Sequence, residues 1–133
     1  MTWKSIRLEL ARTDQHPDGS PRHVYIVHAP LAADGLIDEQ QLKLARERAS
    51  VHRYWDGERP MSGYVIKTAK GWAFSYERGE DDDELVFHLD SHPLRKGEYV
   101  TIIDTNDCPV PLRVVCTEEL DPSGAPMRPQ QGS

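Results

Sequence analysis

The sequence predicts a mainly β domain with one α-helix, folded as a strongly bent antiparallel sheet or a small β-barrel of seven to eight strands. Apolar runs of strand length recur along the chain, with turn residues between them every eight to twelve positions. Only one segment carries helical spacing behind a capping signal. At 133 residues, a single domain is expected over 1–120. The tail, 121–133, holds three prolines, two glycines and only Met127 as a large apolar residue, so it is expected to be disordered.

The first strand lies in Ser5 to Leu10, where Ile6, Leu8 and Leu10 point one way and Ser5, Arg7 and Glu9 the other. A polar connector, Thr13 to Arg22, contains His16-Pro17-Asp18-Gly19-Ser20-Pro21. The second strand, His23 to Pro30, is apolar on both faces and suits a central position covered on both sides. The helix is expected over Glu39 to Ala49. Asp38 caps it with Gln41 three residues on, Ile37 staples to Leu42, and Leu42, Ala45 and Ala49 form a narrow buried stripe. Such a helix covers a sheet edge or plugs a barrel end. Further strands follow at Val51 to Trp55, Tyr64 to Thr68, Trp72 to Glu77, Leu85 to Asp90, Tyr99 to Ile103 and Val110 to Val115.

Charge narrows the classes of function. The formal charge is −6, which argues against a basic groove for a phosphate backbone, so no nucleic-acid partner is expected. Residues 1–60 hold nine basic and nine acidic residues, and the run Glu80-Asp81-Asp82-Asp83-Glu84 supplies most of the imbalance. That run reads as a solvated hairpin loop, or as a docking spot for a basic partner. The apolar stretch Val24 to Ala33 is broken by His28 and Pro30 and is too short to span a bilayer, so no membrane partner is expected. Met1-Thr2-Trp3-Lys4-Ser5 lacks the apolar core of an export signal. If Cys108 sits in a turn, Cys116 lies roughly 26 Å along the returning strand, at about 3.3 Å per residue, too far for a disulfide. Two free thiols and no export signal predict a cytoplasmic protein.

Three clusters carry candidate chemistry. His52-Arg53-Tyr54-Trp55 is the ligand-binding candidate: His52 and Tyr54 share one strand face and Arg53 and Trp55 the other, and Arg53 is suited to hold an anion in a small pocket. Its ordinary alternative is a strand whose arginine lies along an apolar surface. His88, Asp90 and His92 are the metal candidate, because His88 and Asp90 are two apart on one strand face and His92 supplies a third ligand if the chain stays extended. A solvated strand end is the alternative there. Trp72, Phe74 and Tyr76 alternate on one face and read as barrel interior in preference to a stacking platform, since the acidic run beside them repels phosphates. Catalytic residues are not identified, and no cofactor motif occurs.

The segment Leu94-Arg95-Lys96-Gly97-Glu98-Tyr99-Val100-Thr101-Ile102, with Leu112-Arg113-Val114-Val115 after a turn, resembles a hairpin of the sortase and flavin-reductase barrels. The sortase Thr-Leu-x-Thr-Cys strand and the flavin-reductase Arg-x-Tyr-Ser motif are both missing, so neither activity is implied. Ile6 to Arg12, Ala29-Pro30-Leu31, Trp72-Ala73-Phe74 and His92 to Val100 are similar to pieces of a group of short bacterial hypothetical proteins. No function is established for that group, and the resemblance implies a self-contained β-rich domain without assigning a site. The expected function is therefore a small, soluble, non-enzymatic binding or interaction module with a protein or small-molecule partner and no cofactor. The alternatives are a barrel enzyme or anionic-ligand protein built around His52, Arg53 and Tyr54, and a metal-binding protein using His88, Asp90 and His92.

Overall fold

The computed structural model describes residues 2–13, 16–68, 71–76, 84–87, 93–103 and 109–120, with 84–87 described by their backbone. The acidic residues 80–83, the metal candidates His88, Asp90 and His92, Cys108 and the tail 121–133 lie outside the described residues.

Among the described residues, eight strands follow one another in chain order: β1 (Thr2–Leu10), β2 (Ser20–Leu31), β3 (Ser50–Trp55), β4 (Met61–Thr68), β5 (Gly71–Tyr76), β6 (Glu84–Phe87), β7 (Tyr99–Ile103) and β8 (Pro109–Glu119). Each pairs antiparallel with the next, and the sheet curls until β8 pairs with β1, closing the barrel. The curl is helped by irregularities in β1, between Arg7 and Leu8 against β8 and between Glu9 and Leu10 against β2. Among the described residues, the β5–β6 join has two residue pairs, Ala73↔Leu85 and Phe74↔Glu84.

An eight-stranded barrel is just wide enough for side chains to fill. Here Ile6, Leu8, Tyr25, Val27, Val51, Val65, Phe74, Ile102, Leu112 and Val114 do so, all buried. Trp72 and Tyr76 are buried with Phe74, so the aromatic row of β5 is interior. Gly63 of β4 answers a packing demand: a Cβ there would overlap the carbonyl of Ser75 in β5.

The helix is shorter than its sequence pattern. α1 covers Glu39–Leu44, Ala45 breaks it at φ −145° and ψ 58°, and Arg46–Arg48 forms a 3-10 turn. The start is as read, with the Asp38 carboxylate accepting from the Gln41 N–H at 3.2 Å. The end differs because Ala49 already belongs to the sheet: its carbonyl accepts from the Val65 N–H at 2.8 Å. Leu42 and Ala49 are buried, while Ala45 is half-buried. α1 and its turn therefore bridge β2 to β3 across one end of the barrel. Among the described residues, the β1–β2 and β3–β4 connections lie at the opposite end, called the mouth below.

Candidate functional site

β3 divides its side chains between two environments. Val51, Arg53 and Trp55 point inward, whereas His52 and Tyr54 point outward, so the ligand-binding candidates do not converge on one point. His52 shares the outer face with its cross-strand partner Ser62, Nδ1 to Oγ at 3.0 Å. Tyr54 is exposed. No group of three or more histidine, cysteine, aspartate or glutamate side chains that could hold a metal ion occurs among the described residues.

Arg53 is held by an internal network near the mouth. Its Nε donates to the Tyr25 hydroxyl at 3.2 Å, and its Nη1 donates to Glu58 Oε1 at 2.8 Å. The guanidinium lies 4.6 Å from the centre of the Trp55 ring. Tyr25 is opposite Arg53 in the ladder and turned the same way, which is why a residue of β2 can receive it. The positive charge that the sequence offered to an anion is thus already answered by a carboxylate of the β3–β4 turn.

His23 is buried beside this network, packed edge-on against Trp55 at 4.5 Å, with His16 at 4.9 Å and its Nδ1 2.8 Å from Ser20 Oγ. Burial first, and the neighbouring His16 second, lower its pKa below the ordinary 6.5. His28, on the outer face of β2, is lowered by burial and then by His52 and Arg48. Both rings are therefore kept neutral in a range where a free histidine begins to protonate.

A cleft suited to a ligand lies at the other end of the barrel, between α1 with its 3-10 turn and the β4–β5 hairpin. Its volume is about 370 Å³, within the range of small-ligand sites. Leu42, Val65, Ile66 and Trp72 supply apolar walls, and Tyr64 stands at its edge, half exposed. Lys43, Arg46 and Lys67 bring positive charge, against Glu39 and Glu47. Lys43 is paired with Glu39 at 3.0 Å, one helical turn away. The Lys67 ammonium sits 4.8 Å above the Trp72 ring. Neither Lys67 nor Arg46 has a carboxylate partner among the described residues.

This cleft exists because β4 outlasts β3. The first β3–β4 pair is Ser50↔Tyr64, and beyond Val65 the neighbouring strand is replaced by the 3-10 turn and α1. Tyr64, Ile66, Lys67 and Trp72 become site residues through that geometry. The sequence signal that bears on them is the mixed character of Lys67 and Trp72 on either side of Gly71, which is too common to single out. A second cleft, of about 520 Å³, lies near the mouth between the β1–β2 connection and β8. Glu9, Arg12, Asp18 and Arg113 line it with mixed charge.

Comparison with family models, with characterised proteins and with solved structures finds no match to this chain.

Proposed function

We propose that this chain is a small, non-enzymatic binding module whose ligand site is the cleft between α1 and the β4–β5 hairpin. The observation that carries this reading is the notch left where β3 gives way to α1: it joins apolar walls to two cations, Arg46 and Lys67, that have no carboxylate partner among the described residues, in one concavity. Among the described residues, its lining contains no histidine, cysteine or serine. The Arg53 network supports the same reading from the other end of the barrel. An anionic ligand there would have to displace Glu58 from a bond of 2.8 Å, so Arg53 acts as a fastening between β2, β3 and the β3–β4 turn. The cytoplasm is the compartment assigned by this reading, in keeping with the free, exposed thiol of Cys116.

The test is a library of aromatic and aliphatic fragments screened by amide chemical shifts of the folded protein. Shifts are expected at Leu42, Val65, Ile66 and Lys67. Shifts confined to Tyr25, Arg53 and Trp55, or none at the cleft, would overturn the assignment.

A further inference from the structure

The cleft contains a stretch of open sheet edge. In an antiparallel strand the backbone groups of successive residues face opposite neighbours. The Val65 N–H faces the β3 side, since it donates to Ala49 there at 2.8 Å. The N–H and C=O of Lys67, two residues on, therefore face that side as well. No strand lies there, and no backbone hydrogen bond from the segment Arg46–Ala49 reaches Lys67 among the described residues. The side chains agree with this orientation. Lys67 stands opposite Trp72, with its ammonium over the ring, as expected for the closer, non-hydrogen-bonded kind of cross-strand pair.

An exposed strand edge beside apolar walls matches one mode of recognition: an extended peptide that adds a strand, with main-chain bonds for attachment and alternate side chains for selection. Between Ile66 and Thr68, whose backbone groups face β5, the edge consists of the N–H and C=O of Lys67, to which one residue of a partner can bond. Charge selects the partner. With Lys43 and Glu39 satisfying each other, Arg46 and Lys67 outweigh Glu47 on the lining. A second copy pairing through the same edge would set Lys67 near its own counterpart, which like charges disfavour.

We propose that the notch binds a short extended peptide in which apolar and acidic residues alternate, added as a strand to the Lys67 edge of β4. This rests on the binding-module reading and names the ligand class of that site. An apolar side chain enters between Leu42 and Trp72, an acidic one meets Lys67 and Arg46, and the peptide main chain bonds the Lys67 amide and carbonyl.

The experiment uses acetylated, amidated pentapeptides in which Leu, Ile, Val or Phe alternates with Glu, added to the full chain. At least one is expected to shift the Lys67 amide resonance and slow its hydrogen exchange. Methylating successive backbone nitrogens of that peptide is expected to weaken binding at least tenfold at one position. The pair Arg46→Glu and Lys67→Glu is expected to lose the glutamate peptides and gain those with lysine in place of glutamate. Equal binding of every methylated form, or no response at Lys67 to any peptide, overturns strand addition. If fragments still occupy the cleft in that event, the module reading survives. If neither fragments nor peptides perturb the cleft, both fall.

Discussion

Arg53 offers the sharpest test of whether the barrel mouth is fastened from within. Its side chain is only 12% exposed, whereas that of Glu58 is 53% exposed, so one end of the ion pair is desolvated and the other is screened by water. A hydrogen bond to a charged group contributes about 1.5–3 kcal/mol. Screening at Glu58 brings the pair's coupling toward about 1 kcal/mol, near the upper end for exposed pairs. Arg53→Met also removes the bond to the buried Tyr25 hydroxyl and the stacking on Trp55, the latter contributing about 0.5–1 kcal/mol. The methionine restores part of the apolar contact, leaving a net loss of about 2 kcal/mol, or roughly 6–10 °C in Tm for a domain of this size. Glu58→Gln should cost about 1 kcal/mol. The assay is urea unfolding followed by tryptophan fluorescence on the two single variants and the double variant. The double variant should be less destabilised than the sum of the singles by about 1 kcal/mol. A coupling indistinguishable from zero, with Arg53→Met at least as stable as the original, would refute the fastening argument.

Three other outcomes are expected. Because His23 and His28 have folded pKa values below the ordinary 6.5, the unfolded chain takes up protons first on acidification. Their contribution is complete above that value and declines as pH falls from it toward the folded pKa values; comparing thermal unfolding of the original chain with His23→Gln and His28→Gln between pH 7.5 and 5 should show a shallower decline in the variants, and parallel curves would count against it. Gly63→Ala forces a methyl group into the Ser75 carbonyl and should cost about 2 kcal/mol or more by chemical denaturation, whereas Gly57→Ala, with open space around its Cβ position, is limited to the strain of its φ of +81°. Asp38→Ala removes the cap of α1 and should cost about 1 kcal/mol, with faster hydrogen exchange at the Gln41 amide as the local readout.

Much of this fold is legible in the sequence because strands declare themselves locally. Ile6, Leu8 and Leu10 alternate, and all three are buried. The two-sided apolar pattern of His23 to Pro30 is that of a strand with Tyr25 and Val27 inside and Val24 and Pro30 covered outside. The division of β3 between Arg53 and His52 is also a local consequence of the pleat. What the sequence conceals is where one element yields to another. The spacing of Leu42, Ala45 and Ala49 favours a continuous helix, but Ala49 is claimed by a bond to Val65, sixteen positions away in the chain. The extra residues of β4, Met61 to Gly63, look like turn material until Gly63 is seen to permit close approach of β5. The cleft is hidden for the same reason, since it arises from the difference in length between two neighbouring strands. Arg53 reads as an available cation because Glu58, five residues on, becomes its partner only once the turn folds back.

The seam between β1 and β8 has a kinetic consequence. It joins Lys4 to Glu119 and Leu10 to Leu112, pairs separated by most of the chain, whereas every other seam joins neighbours in sequence. Until that seam forms, both strands present free edges, and the interior that includes Ile6 and Val114 is open on one side. Folding should therefore be slow for the chain's length and should end on closure of the ring. Substitutions along β1–β8 should slow folding far more than equal perturbations of the β4–β5 hairpin if closure is the rate-limiting step. Aggregation, for the same reason, should compete most strongly before those two strands meet.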